Sequence, residues 1–225
     1  MKKLAGIACA LAVVGLSALP ARAADLEIQS FDWSGFYAGA AFGYDWGKSR
    51  TYDRIGGTIL HGTAKVDPDG LFGGLYAGYN WRAADRLILG LDADINYGGI
   101  KGSAVTDDFA TFIHSGKLDW FGAGRVRAGM AFDRLLPYVA GGIAVGDYSV
   151  RLAHDTDISN NSDTLVGWTL GAGADYALSE RAVLRLEYRY TDYGTLKDTF
   201  DNFPNEQIRA KLTTSDIRLG VSWKF

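Results

Sequence analysis

The chain has one cysteine in 225 residues, Cys9. That residue falls inside the opening stretch "MKKLAGIACALAVVGLSALPARA", which has a basic start at Lys2 and Lys3, an apolar run, and Ala21-Arg22-Ala23 as a small-x-small cleavage pattern. We read residues 1–23 as a secretory signal peptide and exclude them from the fold. A lipoprotein reading of Cys9 fails, because Gly6 replaces the expected aliphatic residue before it. The exported protein therefore has no cysteine, which excludes disulfide stapling and thiol chemistry. It also has no apolar run of the roughly 20 residues that a membrane helix needs. A basic excess is missing too. Removing Lys2, Lys3 and Arg22 from 23 basic residues leaves 20 against 26 acidic ones, a formal charge of −6, which speaks against a nucleic-acid partner.

Alternation takes the place of long apolar runs. In "LILGLDADINY", Leu87, Leu89, Leu91, Ala93, Ile95 and Tyr97 are separated by residues that include Asp92, Asp94 and Asn96. A period of two is the mark of a strand with one apolar and one polar face. Eight such segments occur, over about 33–47, 70–82, 86–98, 116–130, 135–147, 165–178, 182–192 and 214–225. Each reaches the length of about 9–11 residues that a tilted membrane strand requires.

The connections sort by length. "RAADRL" (82–87), "AFDRLL" (131–136) and "ALSERA" (177–182) are short, and each sets an acid beside an arginine. The others, about 48–69, 99–115, 148–164 and 193–213, are long and polar. Short and long alternate strictly, as in a barrel with tight periplasmic turns and longer external loops. The predicted fold is all-β, an eight-stranded antiparallel up-and-down transmembrane β-barrel, with 24–32 as a short periplasmic lead-in.

Face assignment then predicts where charge goes. Leu118, Trp120, Val126, Ala128 and Met130 share an apolar face opposite Lys117, Asp119, Arg125 and Arg127. Leu184, Leu186, Tyr188 and Tyr190 lie opposite Arg185, Glu187, Arg189 and Thr191. The strand "PYVAGGIAVGDY" alone shows no polar face before Asp147. The polar faces together collect six acids (Asp92, Asp94, Asp119, Asp175, Glu187, Asp216) and six bases (Arg125, Arg127, Arg185, Arg189, Arg218, Lys224). A narrow interior needs such balance, since an unpaired buried charge is costly, and guanidinium forks suit it. Eight strands make a barrel that side chains just fill. Aromatic residues near the strand ends (Trp33, Phe36, Trp46, Tyr79, Trp81, Tyr97, Tyr188, Tyr190, Trp223) are expected in two interfacial girdles.

The opening strand "WSGFYAGAAFGYDWG" (Trp33 to Gly47), "GLYAGYNW" (Gly74 to Trp81), "RVRAGMAFDRLLPYVAGGIA" (Arg125 to Ala144) and "EYRYTDYG" (Glu187 to Gly194) resemble the alphaproteobacterial outer-membrane porin-like family. The closing "SDIRLGVSWKF" resembles the last strand of outer-membrane barrels, whose final aromatic, here Phe225 with Trp223 in phase, serves as an assembly signal. The resemblance spans the whole mature chain. It implies an OmpA-like barrel in a Gram-negative outer membrane, in contact with its lipid, lipopolysaccharide and the barrel-assembly machinery. Family members include hemin-binding proteins, adhesins and surface antigens, so an extracellular ligand or host surface is a further expected partner.

Three tasks fit these residues. The first is a filled structural barrel that works through its external loops. The basic cluster Lys48, Arg50, Arg54 and Lys65 of the first loop, against Asp53, Asp67 and Asp69, is suited to anionic lipopolysaccharide. The second is a small diffusion pore, which the strand number disfavours because water-filled channels belong to barrels of about 16–18 strands. The third is capture of hemin or a metal by His61, His114 and His154, one in each of the first three loops. Replacing all three with Ala abolishes hemin binding if that third task is real; unchanged affinity in a heme titration discards it. An enzyme is not expected, because His114-Ser115 is the sole adjacent pair of interest and no third member orients it. No resident cofactor or metal is expected apart from that hemin.

Overall fold

The computed structural model describes residues 31–225, apart from 56–57, 60–63, 107–111, 155–156 and 200–205. Eight long strands form the wall: β1 (Gly35–Ile55), β4 (Asp69–Arg82), β5 (Leu87–Thr106), β6 (Phe112–Met130), β7 (Leu135–His154), β8 (Asp157–Ala177), β9 (Ala182–Thr199) and β10 (Glu206–Lys224). Two short pieces, β2 (Thr58–Ile59) and β3 (Ala64–Val66), pair with the outer end of β1. Each wall strand pairs antiparallel with the next, and β10 closes onto β1 from Tyr37↔Lys224 to Ile55↔Glu206. The barrel is thus an eight-stranded meander with no free edge at the closure, which is the form a bilayer demands of strands.

Exposure follows the predicted period. On β5, Leu91 (52 %), Ile95 (59 %) and Tyr97 (70 %) face outward, while Asp92 (5 %) and Asn96 (2 %) are buried inside. The outward apolar positions run from Leu87 to Tyr97, which at about 3.3 Å per residue and about 45° of tilt makes a belt of about 25 Å. Phe36, Tyr79, Trp81 and Trp223 mark its periplasmic rim, and Trp46, Tyr97, Tyr188 and Trp168 its outer one; all are at least 38 % exposed. The strand without a legible polar face, β7, obeys the same rule. Val139 and Ile143 point out, while Leu136, Tyr138, Ala140, Ala144 and Tyr148 point in, so its inner face is apolar and aromatic.

The structure departs from the sequence reading at three places. First, Trp33 is not in a girdle. Phe31 and Trp33 fold into the periplasmic mouth and pack with Ile88, Leu136, Ala177 and Val183. The Trp33 indole N–H donates to the Asp133 carbonyl at 3.0 Å. Gly35, at φ 119°, turns the chain from this stopper into β1, a conformation that side chains rarely tolerate. Second, pairing between β6 and its neighbours shifts register at Tyr97/Ile100 and at Leu118/Phe121. A β-bulge reverses the phase of every residue beyond it, so Leu118 is buried inside (1 %) and Lys117 and Asp119 lie on the outside. Third, the four segments read as long loops are largely strand. β1, β5 and β7 run out to Ile55, Thr106 and His154, and β6, β8 and β10 begin at Phe112, Asp157 and Glu206. Above the membrane both faces of a strand meet water, so its alternation of apolar and polar residues disappears while pairing continues along most of the wall.

Candidate functional site: a closed lumen

The lumen is filled in three tiers. The lowest is the periplasmic apolar stopper around Trp33. The highest is a second apolar cluster of Phe72, Ile100, Leu118, Phe121, Tyr148, Leu165, Tyr193 and Leu212, reached where the wall passes the outer girdle. Between them lies the charge.

Cross-strand register builds that middle tier. Asp92 stands opposite Arg125 on β5 and β6, Asp175 opposite Arg185 on β8 and β9, and Glu187 opposite Arg218 on β9 and β10. The alternation places the next inward residue of each strand two positions on, so that carboxylates and guanidinium groups interleave around the barrel. Arg125 grips both Asp92 (2.9 and 3.1 Å) and Glu187 (2.8 and 3.1 Å). Arg185 forks onto Asp175 (2.8 and 3.0 Å), and Arg127 shares that carboxylate at 2.8 Å. Arg189 joins Glu187 (3.0 Å) to Asp94 (2.9 and 3.1 Å). Arg218 forks onto Asp216 at 2.7 and 2.9 Å.

Three tyrosines wrap the network. Tyr138 donates its hydroxyl to Glu187 at 2.6 Å and lies under the Arg127 guanidinium at 3.9 Å from its ring centre. The Arg185 guanidinium sits 4.6 Å from the Tyr76 ring centre, and Arg127 donates to the Tyr37 hydroxyl at 3.2 Å. Flat guanidinium faces on aromatic rings satisfy the charge where no carboxylate reaches.

Ten of the twelve predicted lumen charges are brought together here: Asp92, Asp94, Asp175, Glu187 and Asp216 with Arg125, Arg127, Arg185, Arg189 and Arg218. The remaining two lie elsewhere. Asp119 pairs with Lys117 on the outer surface because the bulge reverses its phase. Lys224 ends β10 at the periplasmic mouth, 3.6 Å from Asp32 and 5.4 Å from the Phe31 ring centre. Partial burial alone would raise the Asp32 carboxyl, but the Ser34 N–H, Lys224 and Arg82 hold it below its ordinary value. Trp223 and Phe225 are exposed at the periplasmic rim, where the Phe225 N–H donates to the Phe36 carbonyl at 3.0 Å. Of the histidines, His61 lies outside the described residues. His114 sits in β6 opposite Leu152, and His154 ends β7 opposite Asp157, so these two occupy neighbouring strands.

Sequence reasoning missed Asp45. It is fully buried (0 %) and stands opposite Asp216 in the β1–β10 register. Among the described residues neither of its oxygens has a hydrogen-bond partner, Thr214 and Arg218 being nearby groups able to answer it. Buried acids cost stability unless paired. Asp45→Asn is therefore expected to leave the urea midpoint unchanged or raise it. A loss of more than about 2 kcal/mol, the scale of a broken charged hydrogen bond, would show that Asp45 holds a partner.

Two small cavities lie in the described lumen. One cavity of about 10 Å³ lies among Tyr76, Asp94, Arg125, Glu187, Arg189 and Arg218, and another of about 10 Å³ lies between Trp33, Tyr37, Asn80 and Asp175. Each has room for about one water.

The model of the outer membrane protein beta-barrel domain matches residues 9–225. The chain belongs to that family. It is 33 % identical over 214 residues to a 31 kDa outer-membrane immunogenic protein of Brucella melitensis, covering 88 % of this chain and 86 % of the relative. It is 30 % identical over 196 residues to a 22 kDa outer membrane protein of Rhizobium leguminosarum bv. viciae, covering 86 % and 78 %. Among solved structures, the outer membrane protein OprG from Pseudomonas aeruginosa shares the fold at a TM-score of 0.60 and 15 % identity, over 88 % of this chain and 99 % of that one. This chain is thus an outer-membrane surface protein of a Gram-negative bacterium, as the alphaproteobacterial resemblance implied.

Proposed function

We propose that this family member is a non-conducting, non-catalytic barrel whose work is done by its outward structure. The observation that carries this reading is the lumen, packed by two apolar clusters and an arginine–carboxylate network beside cavities of about 10 Å³. Conduction needs a continuous wet path, and a gap that holds about one water is not a path. Catalysis needs a free base or an activated nucleophile. The network carboxylates are instead bonded to arginines, and Tyr138 is committed to Glu187. The barrel then serves as a rigid post. Its wall is continued beyond the girdle by strands that reach Ile55, Thr106, His154 and Thr199. The names of the immunogenic Brucella relatives agree with a surface on display. Proteoliposomes carrying the refolded protein are expected not to swell in arabinose beyond protein-free vesicles. Swelling at the rate given by a trimeric porin would overturn the proposal.

A further inference from the structure

The five acids and five arginines of the network balance one another without Asp45. Asp45 is a sixth buried acid, and among the described residues the lumen holds no sixth arginine or lysine to match it. Lys224, the one further base on the inner phase of β10, is at the periplasmic mouth beside Asp32. Asp45 is at the other end of the belt, next in the chain to Trp46 of the outer girdle.

Its neighbours make the mismatch worse. Asp45 belongs to the seam where the first and last strands close the barrel. Directly opposite it are Asp216 on β10, itself buried, and Gly70 on β4. Like charges directly opposed across a ladder push the strands apart. The base within electrostatic reach is Arg218, but its fork is spent on Asp216 at 2.7 and 2.9 Å. Its remaining nitrogen lies 3.6 Å from Asp94. The other titratable group acting on this position is Tyr193 of β9, buried in the upper apolar cluster. Neither oxygen of Asp45 has a hydrogen-bond partner among the described residues.

A carboxylate with no counterion and no donor is the costliest group a closed lumen can hold. The neutral acid escapes that cost, and it turns one oxygen into a donor. Two carboxyl groups that face each other can share one proton, whereas they cannot both ionise cheaply. We propose that Asp45 is a proton-binding site in the closure seam, a neutral acid at neutral pH whose proton is directed from β1 towards Asp216 on β10. A metal ion is the rival occupant. The cavities beside the network are lined by neither Asp45 nor Asp216, and a proton needs no cavity.

The site makes closure sensitive to pH. An unfolded chain gives up this proton above the ordinary aspartate value of about 3.9, while the folded chain keeps it. Folding therefore takes up one proton, and stability falls as pH rises through the range where only the folded form holds it. Once Asp45 ionises, the loss is complete and two carboxylates oppose each other across the seam.

The test compares urea unfolding of the refolded wild-type chain and Asp45→Asn in lipid vesicles over a pH series. The amide copies the neutral acid, donor included. From about pH 5 upward, the wild-type unfolding constant is expected to grow relative to that of the variant by roughly tenfold per pH unit, the slope of one proton. Infrared spectra of the folded wild-type chain at neutral pH are expected to show the C=O band of a protonated carboxyl. That band shifts with isotope-labelled aspartate and is missing from Asp45→Asn. Parallel pH curves for the two chains would overturn the proposal. So would absence of the band, which is read on the wild-type chain and needs no variant to fold. A third contrary result is wild-type stability that drops when sodium and potassium are replaced by choline while Asp45→Asn does not respond. A metal ion would then hold the site.

Discussion

Glu187→Gln lowers the unfolding free energy of the membrane-embedded barrel by about 3–5 kcal/mol, the range for removing one partner of a buried ion pair. Glu187 is the hub of the network. Arg125 reaches it at 2.8 and 3.1 Å, Arg189 at 3.0 Å and Tyr138 at 2.6 Å, and Arg218 lies 3.9 Å away. The amide matches the carboxylate in size but brings no charge, and its NH2 group meets donors where an acceptor is required. Three guanidinium groups are left short of negative charge in a lumen with space for about one water beside them. Urea unfolding in lipid vesicles, followed by tryptophan fluorescence, measures the loss. A change below about 1 kcal/mol, the scale of an exposed ion pair, would mean that water reaches the network freely. The packed lumen would then have to be given up.

Leu91→Arg costs about 2–4 kcal/mol in the same assay, because it sets a guanidinium into hydrocarbon near the bilayer midplane. Leu91 is 52 % exposed in the middle of the apolar belt, one residue before the buried Asp92. The two neighbours see opposite solvents, lipid for one and the ion-pair lattice for the other. Depth in the bilayer decides the cost. Arg placed at Phe36, on the periplasmic rim of the belt, is expected to cost about 0–1 kcal/mol by the same depth rule. Equal costs at the two positions would contradict the placement of the belt.

Much of this was legible in the sequence, for an identifiable reason. A membrane strand must keep strict alternation, because lipid and lumen punish a slip of one residue along the whole strand. That is why Leu87 to Tyr97 discloses both faces of β5, and why ten network charges can be read from phase alone. Bulges break the inference locally. The shift at Leu118/Phe121 moves Asp119 outside and Leu118 inside, and nothing in "KLDWFG" marks it. Aromatic residues mislead in another way. Tyr37, Tyr76 and Tyr138 resemble lipid-facing residues by composition, yet each is inward by phase and serves the arginines as a ring or a hydroxyl. Trp33 escapes a reading by phase because its position depends on Gly35 turning the chain inward. Asp45 escapes it too, although it lies in phase with Tyr37, since the residues directly opposite it are Asp216 on β10 and Gly70 on β4, neither of them basic. The extension of the wall beyond the girdle leaves no periodic trace, because water on both sides selects no alternation.

Closure of the lumen is tested most directly by ionic current. Refolded protein, shown by its heat-modifiable migration to be intact, is inserted into a planar bilayer and held at a steady voltage in potassium chloride. The expected result is no discrete opening from the wild-type chain. Stable, reproducible single-channel steps from that chain would contradict a closed lumen, because ions would then be passing through a network and two apolar clusters that leave them no room.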